Sequence, residues 1–159
     1  MDTVTHALAP VIIAHLCLSR STRFGRSGLI AIGVAGALPD LLSPHLSLEA
    51  RMTSWSHGLP FWVAFTTCLV IASLVSQRRL SLRLSLALSG AYLFHLICDA
   101  ISGGINWLYP VSDFIWGEYW VSPILWIPLD IVCVLLCYHL FRLLPLLRKS
   151  KSVKRDVIK

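Results

Sequence analysis

Five long apolar stretches dominate this chain and leave little room for a soluble architecture. Hydrophobic residues make up 56% of its 159 residues and charged residues only 14%, unlike the composition of a soluble domain. Because a backbone in lipid must satisfy its own hydrogen bonds, such stretches predict helices. The sequence therefore predicts an all-α, polytopic membrane bundle of about five apolar helices. These helices are predicted over Thr5 to Ser19, Gly28 to Leu42, Leu59 to Ser76, Leu82 to Ser102 and Ile124 to Leu147.

The first two predicted helices are short. Fifteen residues span about 22 Å, less than the roughly 30 Å of a hydrocarbon core, so we expect the first hairpin to end below the outer surface. The first nineteen residues lack a basic leader region and a cleavage site, which predicts that the first helix is retained. Residues 1–147 are predicted to form a single membrane-embedded domain, and residues 148–159 a basic cytoplasmic tail.

The positions of lysine and arginine predict the orientation in the membrane. All of the 14 basic residues except Arg51 lie between segments one and two, between segments three and four, or near and after the end of segment five. Since basic residues collect on the cytoplasmic side, we expect the N-terminus outside and the C-terminus in the cytoplasm. The net charge of +6 is then explained by anionic lipid of the bilayer, and no nucleic acid partner is expected.

Ionisable side chains inside the apolar segments are the candidate functional residues. Such groups are costly in lipid and are functional candidates by default. At about 1.5 Å per residue, four of them lie in one layer, roughly 18 to 24 Å from the nearest cytoplasmic arginine. The layer contains His6, Asp40, His95 and Asp99. A fifth residue, His57, precedes a glycine in a loop that we expect to close over the layer.

His95 and Asp99 form the strongest local pair. Their i, i+4 spacing places imidazole and carboxylate on the same helix face, one turn apart. Histidine and carboxylate together favour zinc or a similar divalent ion over calcium, which prefers oxygen ligands. Taken singly, each residue has a structural alternative: a histidine can bond a backbone carbonyl, and Asp40 can cap a turn. Five such residues at one depth favour a metal site.

Other polar residues are weaker candidates. Arg51 is a candidate substrate-binding residue because a guanidinium can grip phosphate in a bidentate manner, although a solvated ion pair with Glu49 is the favoured alternative. His15 and His139 lie toward the basic side and are predicted to be structural. Four residues remain open as additional members of the site: Asp113, Glu118, Asp130 and His45.

The ordered set of motifs resembles a known family. It is similar to the small bacterial membrane-bound, metal-dependent hydrolases of the YdjM-like family over most of the chain, up to about Pro110. The order of ligands also resembles that of zinc-dependent phospholipase C and the S1/P1-type nucleases, which hydrolyse phosphate esters with a metal cluster. The motifs that carry the resemblance are Thr5-His6, Gly36-Ala37-Leu38-Pro39-Asp40, Ser56-His57 and His95-x-x-x-Asp99.

The resemblance implies roles for the individual residues. One zinc ion would be held by Asp40, His57, His95 and Asp99, and Asp99 would bridge to a second ion that His6 also binds. Asp40, His57 and Asp99 are thereby the candidate catalytic residues. Those soluble enzymes have an N-terminal Trp and a later His and HxxxE that this chain lacks. One or two ions are therefore expected rather than three.

The resemblance implies an enzyme that hydrolyses a phosphoester of a lipid or lipid-linked substrate at the outer side of the bacterial inner membrane. Two alternatives stay open. An ion or proton transporter would use the same intramembrane His/Asp cluster, although the chain shows no internal repeat of the transporter type. A non-catalytic stress or scaffold protein would keep the residues in an inactive site.

Overall fold

The computed structural model describes residues 2–17, 24–44, 47–76 and 80–149. The predicted helical fold is confirmed, and most helices begin and end close to the predicted positions. Short 3₁₀ turns cover Trp55–His57 and Pro123–Leu125, and a π-helical turn, His139–Leu143, follows the last helix. The α-helices are α1 (Thr3–Cys17), α2 (Arg26–Leu42), α3 (Leu48–Met52), α4 (Leu59–Val75), α5 (Leu82–Ala100) and α6 (Trp126–Tyr138).

A small β-hairpin lies between α5 and α6. Strand β1 (Ile105–Asn106) pairs antiparallel with β2 (Ile115–Trp116). The Asn106 side chain donates to Asp113 Oδ1 at 3.2 Å and accepts a hydrogen bond from the Phe114 backbone N–H at 3.2 Å, which closes the intervening loop. The all-α prediction is wrong for this segment. Strands are possible here because the two strands pair through their backbone groups, and the Asn106 side-chain amide bonds two further polar groups of the loop.

Helix α2 lies in the middle of the helix packing. It contacts α1 on one side and α5 on the other, while α4 packs on α5 and α6 packs on α1. The buried apolar residues between α2 and α5 are Ile32, Ala35, Leu88 and Ala91. A second buried cluster continues toward the β-hairpin and contains Tyr92, Leu96, Ala100 and Ile105. This packing brings the ends of α2 and α5 together beside the start of α1.

Helices α1 and α2 approach closely at Gly36. A methyl group on Gly36 would lie 2.9 Å from Pro10 Cγ and well inside van der Waals contact of the His6 carbonyl oxygen. Small residues at helix interfaces allow backbones to approach in this way in membrane proteins. Gly36 therefore lets α1 carry His6 against α2 and α5.

Among the described residues, two helical segments are long and apolar enough to cross a membrane. They are Leu82–Ala100, with 19 residues, and Pro123–Lys149, with 27. Helices α1 and α4 are apolar but have only 15 and 17 residues, so the prediction of five spans is not confirmed. Large apolar side chains along α6, such as Ile127 and Leu135, are exposed, as expected of a helix that faces lipid.

Some of the basic segments that predict the orientation lie outside the described residues. This holds for the predicted tail beyond Lys149. It also holds for four of the basic residues between helices: Arg20, Arg23, Arg78 and Arg79.

Candidate metal site

Four side chains from three parts of the fold meet in one cluster. Helix α2 supplies Asp40 near its end, the 3₁₀ turn supplies His57, and α5 supplies His95 and Asp99. One ligand atom from each residue lies within 4.8 Å of all the others. His57, His95 and Asp99 are buried, whereas the Asp40 side chain is 16% exposed. The structure thus brings these four predicted ligands together.

Both histidines turn Nε2 toward the two carboxylates. His95 Nε2 lies 3.4 Å from Asp40 Oδ1 and 3.2 Å from Asp99 Oδ2. His57 Nε2 lies 3.3 Å and 3.6 Å from the same two oxygens, and 3.4 Å from His95 Nε2. Four tetrahedral ligands at about 2.0–2.2 Å from a zinc ion are separated by roughly 3.3 to 3.6 Å. The five separations between these atoms are close to those values, and all four ligand atoms lie within 4.8 Å of one another, which suits a single small cation.

A backbone carbonyl fixes the orientation of His95. His95 Nδ1 lies 2.7 Å from the Gly36 carbonyl oxygen, which can only accept a hydrogen bond. Nδ1 must therefore carry a proton, which leaves Nε2 as the nitrogen that a metal ion would bind. A hydrogen bond of this kind from the outer nitrogen is the usual support of a metal-binding histidine.

A chain of hydroxyl groups fixes His57 in the same way. Ser56 Oγ donates to the Pro39 carbonyl oxygen at 2.8 Å. Because the Ser56 hydroxyl proton is used in that bond, Ser56 Oγ accepts a hydrogen bond from Ser54 Oγ at 3.0 Å. Ser54 Oγ in turn accepts a hydrogen bond from His57 Nδ1 at 2.8 Å. The direction of the chain places the proton on Nδ1 and leaves the Nε2 lone pair toward the cluster.

The protonation state of His57 agrees with this assignment. Burial lowers the pKa of the His57 imidazole, against the opposing effect of the nearby Asp40 and Asp99 carboxylates. The neutral form is the one that binds a metal. Position and charge state of His57 therefore both suit a ligand.

The other oxygen of Asp99 has different partners. Arg51 Nη1 lies 2.8 Å and His6 Nε2 lies 3.2 Å from Asp99 Oδ1. The His6 ring also packs on that of His95, with the ring centroids 3.9 Å apart. All five predicted metal ligands thus lie close together, with His6 beside the far oxygen of Asp99 and outside the group of four.

Arg51 is buried at the base of the site. Only 2% of the residue is exposed, and its Nη2 donates to the Gly104 carbonyl oxygen at 3.1 Å. Gly104 adopts a φ of +82°, a left-handed conformation that favours glycine and turns the chain after α5 toward Arg51. The expectation that Arg51 is solvated is wrong, because Arg51 is buried against Asp99. Its role as a substrate-binding residue stays a prediction, and both terminal nitrogens already have protein partners.

Asp130 is one of the residues that the sequence left open, and it lies next to the site. Asp130 of α6 accepts hydrogen bonds from the Thr5 backbone N–H at 3.0 Å and from Thr5 Oγ1 at 2.5 Å. It thereby caps the first turn of α1, next to His6. Thr3 Oγ1 donates to Asp40 Oδ2 at 2.5 Å.

The remaining candidates are peripheral. Asp113 holds the β-hairpin through Asn106, and Glu118 is exposed in the same segment. His15 packs against Phe141 with ring centroids 4.6 Å apart. His139 is exposed in the π-helical turn, and His45 lies outside the described residues.

The ordered ligands fall within a region that matches a known family. The sequence profile of the YdjM inner membrane protein family matches residues 1–153. The chain belongs to this family. The comparisons with curated proteins and with solved structures give no match. A membrane location for this family member fits its two long apolar helices.

The residues that support the ligands in this family member were not predicted from the sequence in that role. Ser54 and Ser56 hold His57, and the Tyr92 hydroxyl donates to the Ser56 carbonyl oxygen. Two serines within three residues of His57 are a local signal that could have identified Ser54 and Ser56. The motif that contains Gly36 gave no sign of its contacts with α1 and His95, and no local pattern pointed to Tyr92, because their partners lie on other elements.

Proposed function

We propose that this chain is a membrane-embedded, metal-dependent hydrolase that cleaves a phosphoester of a lipid or lipid-linked substrate at the outer side of the inner membrane. The observation that carries the proposal is the convergence of two histidine Nε2 atoms and two carboxylate oxygens at separations that suit one small cation. Asp40, His57, His95 and Asp99 would hold the ion, and this mixed donor set favours zinc. A bound divalent ion supplies Lewis acidity and a nucleophilic water near neutral pH.

The burial pattern indicates how a substrate would approach. Asp40 is the partly exposed member of the four, and it lies beside the exposed Thr3. Asp40 and Thr3 would therefore meet the polar part of a substrate, while the buried His57, His95 and Asp99 exclude bulk water. Their exclusion of water strengthens each electrostatic interaction within the cluster.

The surroundings of Asp40 favour an amphiphilic substrate. Leu41 is 58% exposed, Leu42 is 38% exposed, and Val4 beside Thr3 is 43% exposed. A polar centre with an apolar rim suits a molecule that has a charged headgroup and a hydrocarbon part. This supports a lipid phosphoester over a small soluble ester.

The proposal includes the membrane arrangement. We infer that the five apolar helices lie in the membrane, with the N-terminus outside and the C-terminus in the cytoplasm. The shortness of α1 supports a site that lies below the outer surface, where an outer-leaflet lipid can reach it.

The test is metal-dependent turnover by the purified full chain in lipid nanodiscs. Release of headgroup or phosphate is measured for a panel of bilayer lipids, before and after chelation and after readdition of zinc. We expect turnover that is lost on chelation and restored by zinc. Asp99→Asn should lower both zinc content and turnover by orders of magnitude, whereas the matched change Asp113→Asn, in the β-hairpin, should leave both near the wild-type level.

A different result would favour transport. Wild-type protein with full zinc occupancy but no turnover on any lipid would contradict the hydrolase. If the same protein then showed ion flux in liposomes that depended on Asp99, the cluster would serve conduction instead.

A further inference from the structure

The two oxygens of Asp99 face two different groups. Oδ2 faces the Nε2 atoms of His57 and His95, on the side of the four-ligand cluster. Oδ1 faces Arg51 Nη1 at 2.8 Å and His6 Nε2 at 3.2 Å. A carboxylate that bridges two cations uses its two oxygens in this way. Here the position next to Oδ1 is already filled by a guanidinium.

The charges of the buried residues also disfavour a second metal ion. Two carboxylates, Asp40 and Asp99, and one guanidinium leave a single net negative charge when the histidines are neutral. One divalent ion changes this to a single positive charge. A second divalent ion would add two more positive charges in a site where Asp99 and Arg51 are nearly inaccessible to water, at a high electrostatic cost.

Burial and a hydrogen bond also hold Arg51 in this position. It is 2% exposed, its second terminal nitrogen donates to the Gly104 carbonyl oxygen, and the left-handed conformation of Gly104 presents that carbonyl. An arginine keeps its charge at any ordinary pH, so the guanidinium is a permanent cation beside Asp99.

We propose that the Arg51 guanidinium takes the place of a second metal ion, so that the cluster holds one ion per chain and Asp99 bridges that ion and Arg51. This rests on the proposed function, and it revises the expectation that Asp99 and His6 share a second ion. Arg51 is then a positioning residue. It holds Asp99 with Oδ2 toward the metal and balances the charge that a second ion would otherwise supply.

The test counts metal ions and needs no turnover, so its outcome is separate from that of the hydrolase assay. The full chain in detergent is saturated with zinc, freed of excess ion and analysed by plasma mass spectrometry. We expect one zinc per wild-type chain. A wild-type chain that binds two zinc ions, or none, would overturn the proposal without any variant.

The substitution Arg51→Gln removes the cation and keeps a polar side chain. It should admit a second zinc ion at Asp99 Oδ1 and His6, raising the count from one to two, and the added change His6→Ala should return it to one. Arg51→Lys retains the charge and should stay at one, as should Arg83→Gln, which removes an exposed arginine from the start of α5. Loss of zinc from Arg51→Gln, or a count that stays at one in folded protein, would show that Arg51 has only a structural role.

Discussion

The contact between α1 and α2 at Gly36 predicts a large effect from one added methyl group. In Gly36→Ala the new Cβ would lie 2.9 Å from Pro10 Cγ and still closer to the His6 carbonyl oxygen, so α1 must move away from α2. Overpacking of this kind costs about 1–3 kcal/mol. The greater helix propensity of alanine offsets up to about 1 kcal/mol of that cost.

The same shift acts on the metal site. His6 lies on the displaced part of α1, and the Gly36 carbonyl accepts the hydrogen bond that orients His95. Loss of such a supporting bond lowers metal affinity by about 10- to 100-fold. We therefore expect Gly36→Ala to lower both the free energy of unfolding, by about 1–2 kcal/mol net, and the affinity for zinc.

The matched control is Gly90→Ala. Gly90 also lies within a helix, α5, but a Cβ there would meet nothing within 4 Å. It should stabilise the protein slightly or have no effect, because only the helix propensity changes. The assays are unfolding in detergent followed by circular dichroism, and zinc titration. Equal stability and equal zinc affinity of the two variants would refute the close approach of α1 and α2 at the site.

Two further predictions concern the support of His57 and the orientation of the chain. Ser54→Ala interrupts the hydroxyl chain that fixes His57 Nδ1 and should weaken zinc binding about 10-fold. The control Ser73→Ala removes a hydroxyl that donates to the nearby Val70 carbonyl in α4 and should leave zinc binding unchanged. Equal affinities of the two variants in a competition titration would contradict the role of Ser54. Reporter fusions should place Met1 outside and Lys159 in the cytoplasm. A cytoplasmic N-terminus would reverse the helix directions and move the site to the inner side of the membrane.

Local spacing was sufficient where two residues share one helix. His95 and Asp99, four residues apart, were predicted to face the same way, and His95 Nε2 lies 3.2 Å from Asp99 Oδ2. The i, i+4 relation depends only on helix geometry, so the sequence determines it. The apolar stretches determined the helices for a similar reason, because hydrophobic runs and their breaks are local features.

Depth in the membrane predicted a common layer but not the contacts within it. Counting residues placed His6, Asp40 and Asp99 at a similar height, and the structure brings Asp40 and Asp99 into one cluster with His6 beside it. Which oxygen of Asp99 faces which partner depends on how α1 and α2 pack, and the small size of Gly36 decides that approach.

Arg51 shows what only the tertiary structure decided. In the sequence it is a lone charge in a polar loop, for which solvation is the ordinary expectation. In the fold it is buried between Asp99 and the Gly104 carbonyl, 48 and 53 residues away along the chain. Burying a charge costs free energy that paired and hydrogen-bonded partners must offset. The partners of Arg51 lie on other elements, so the local sequence around Arg51 carries no sign of them. The sequence determined the helices and the ligand types, whereas packing between helices decided which cation Asp99 holds.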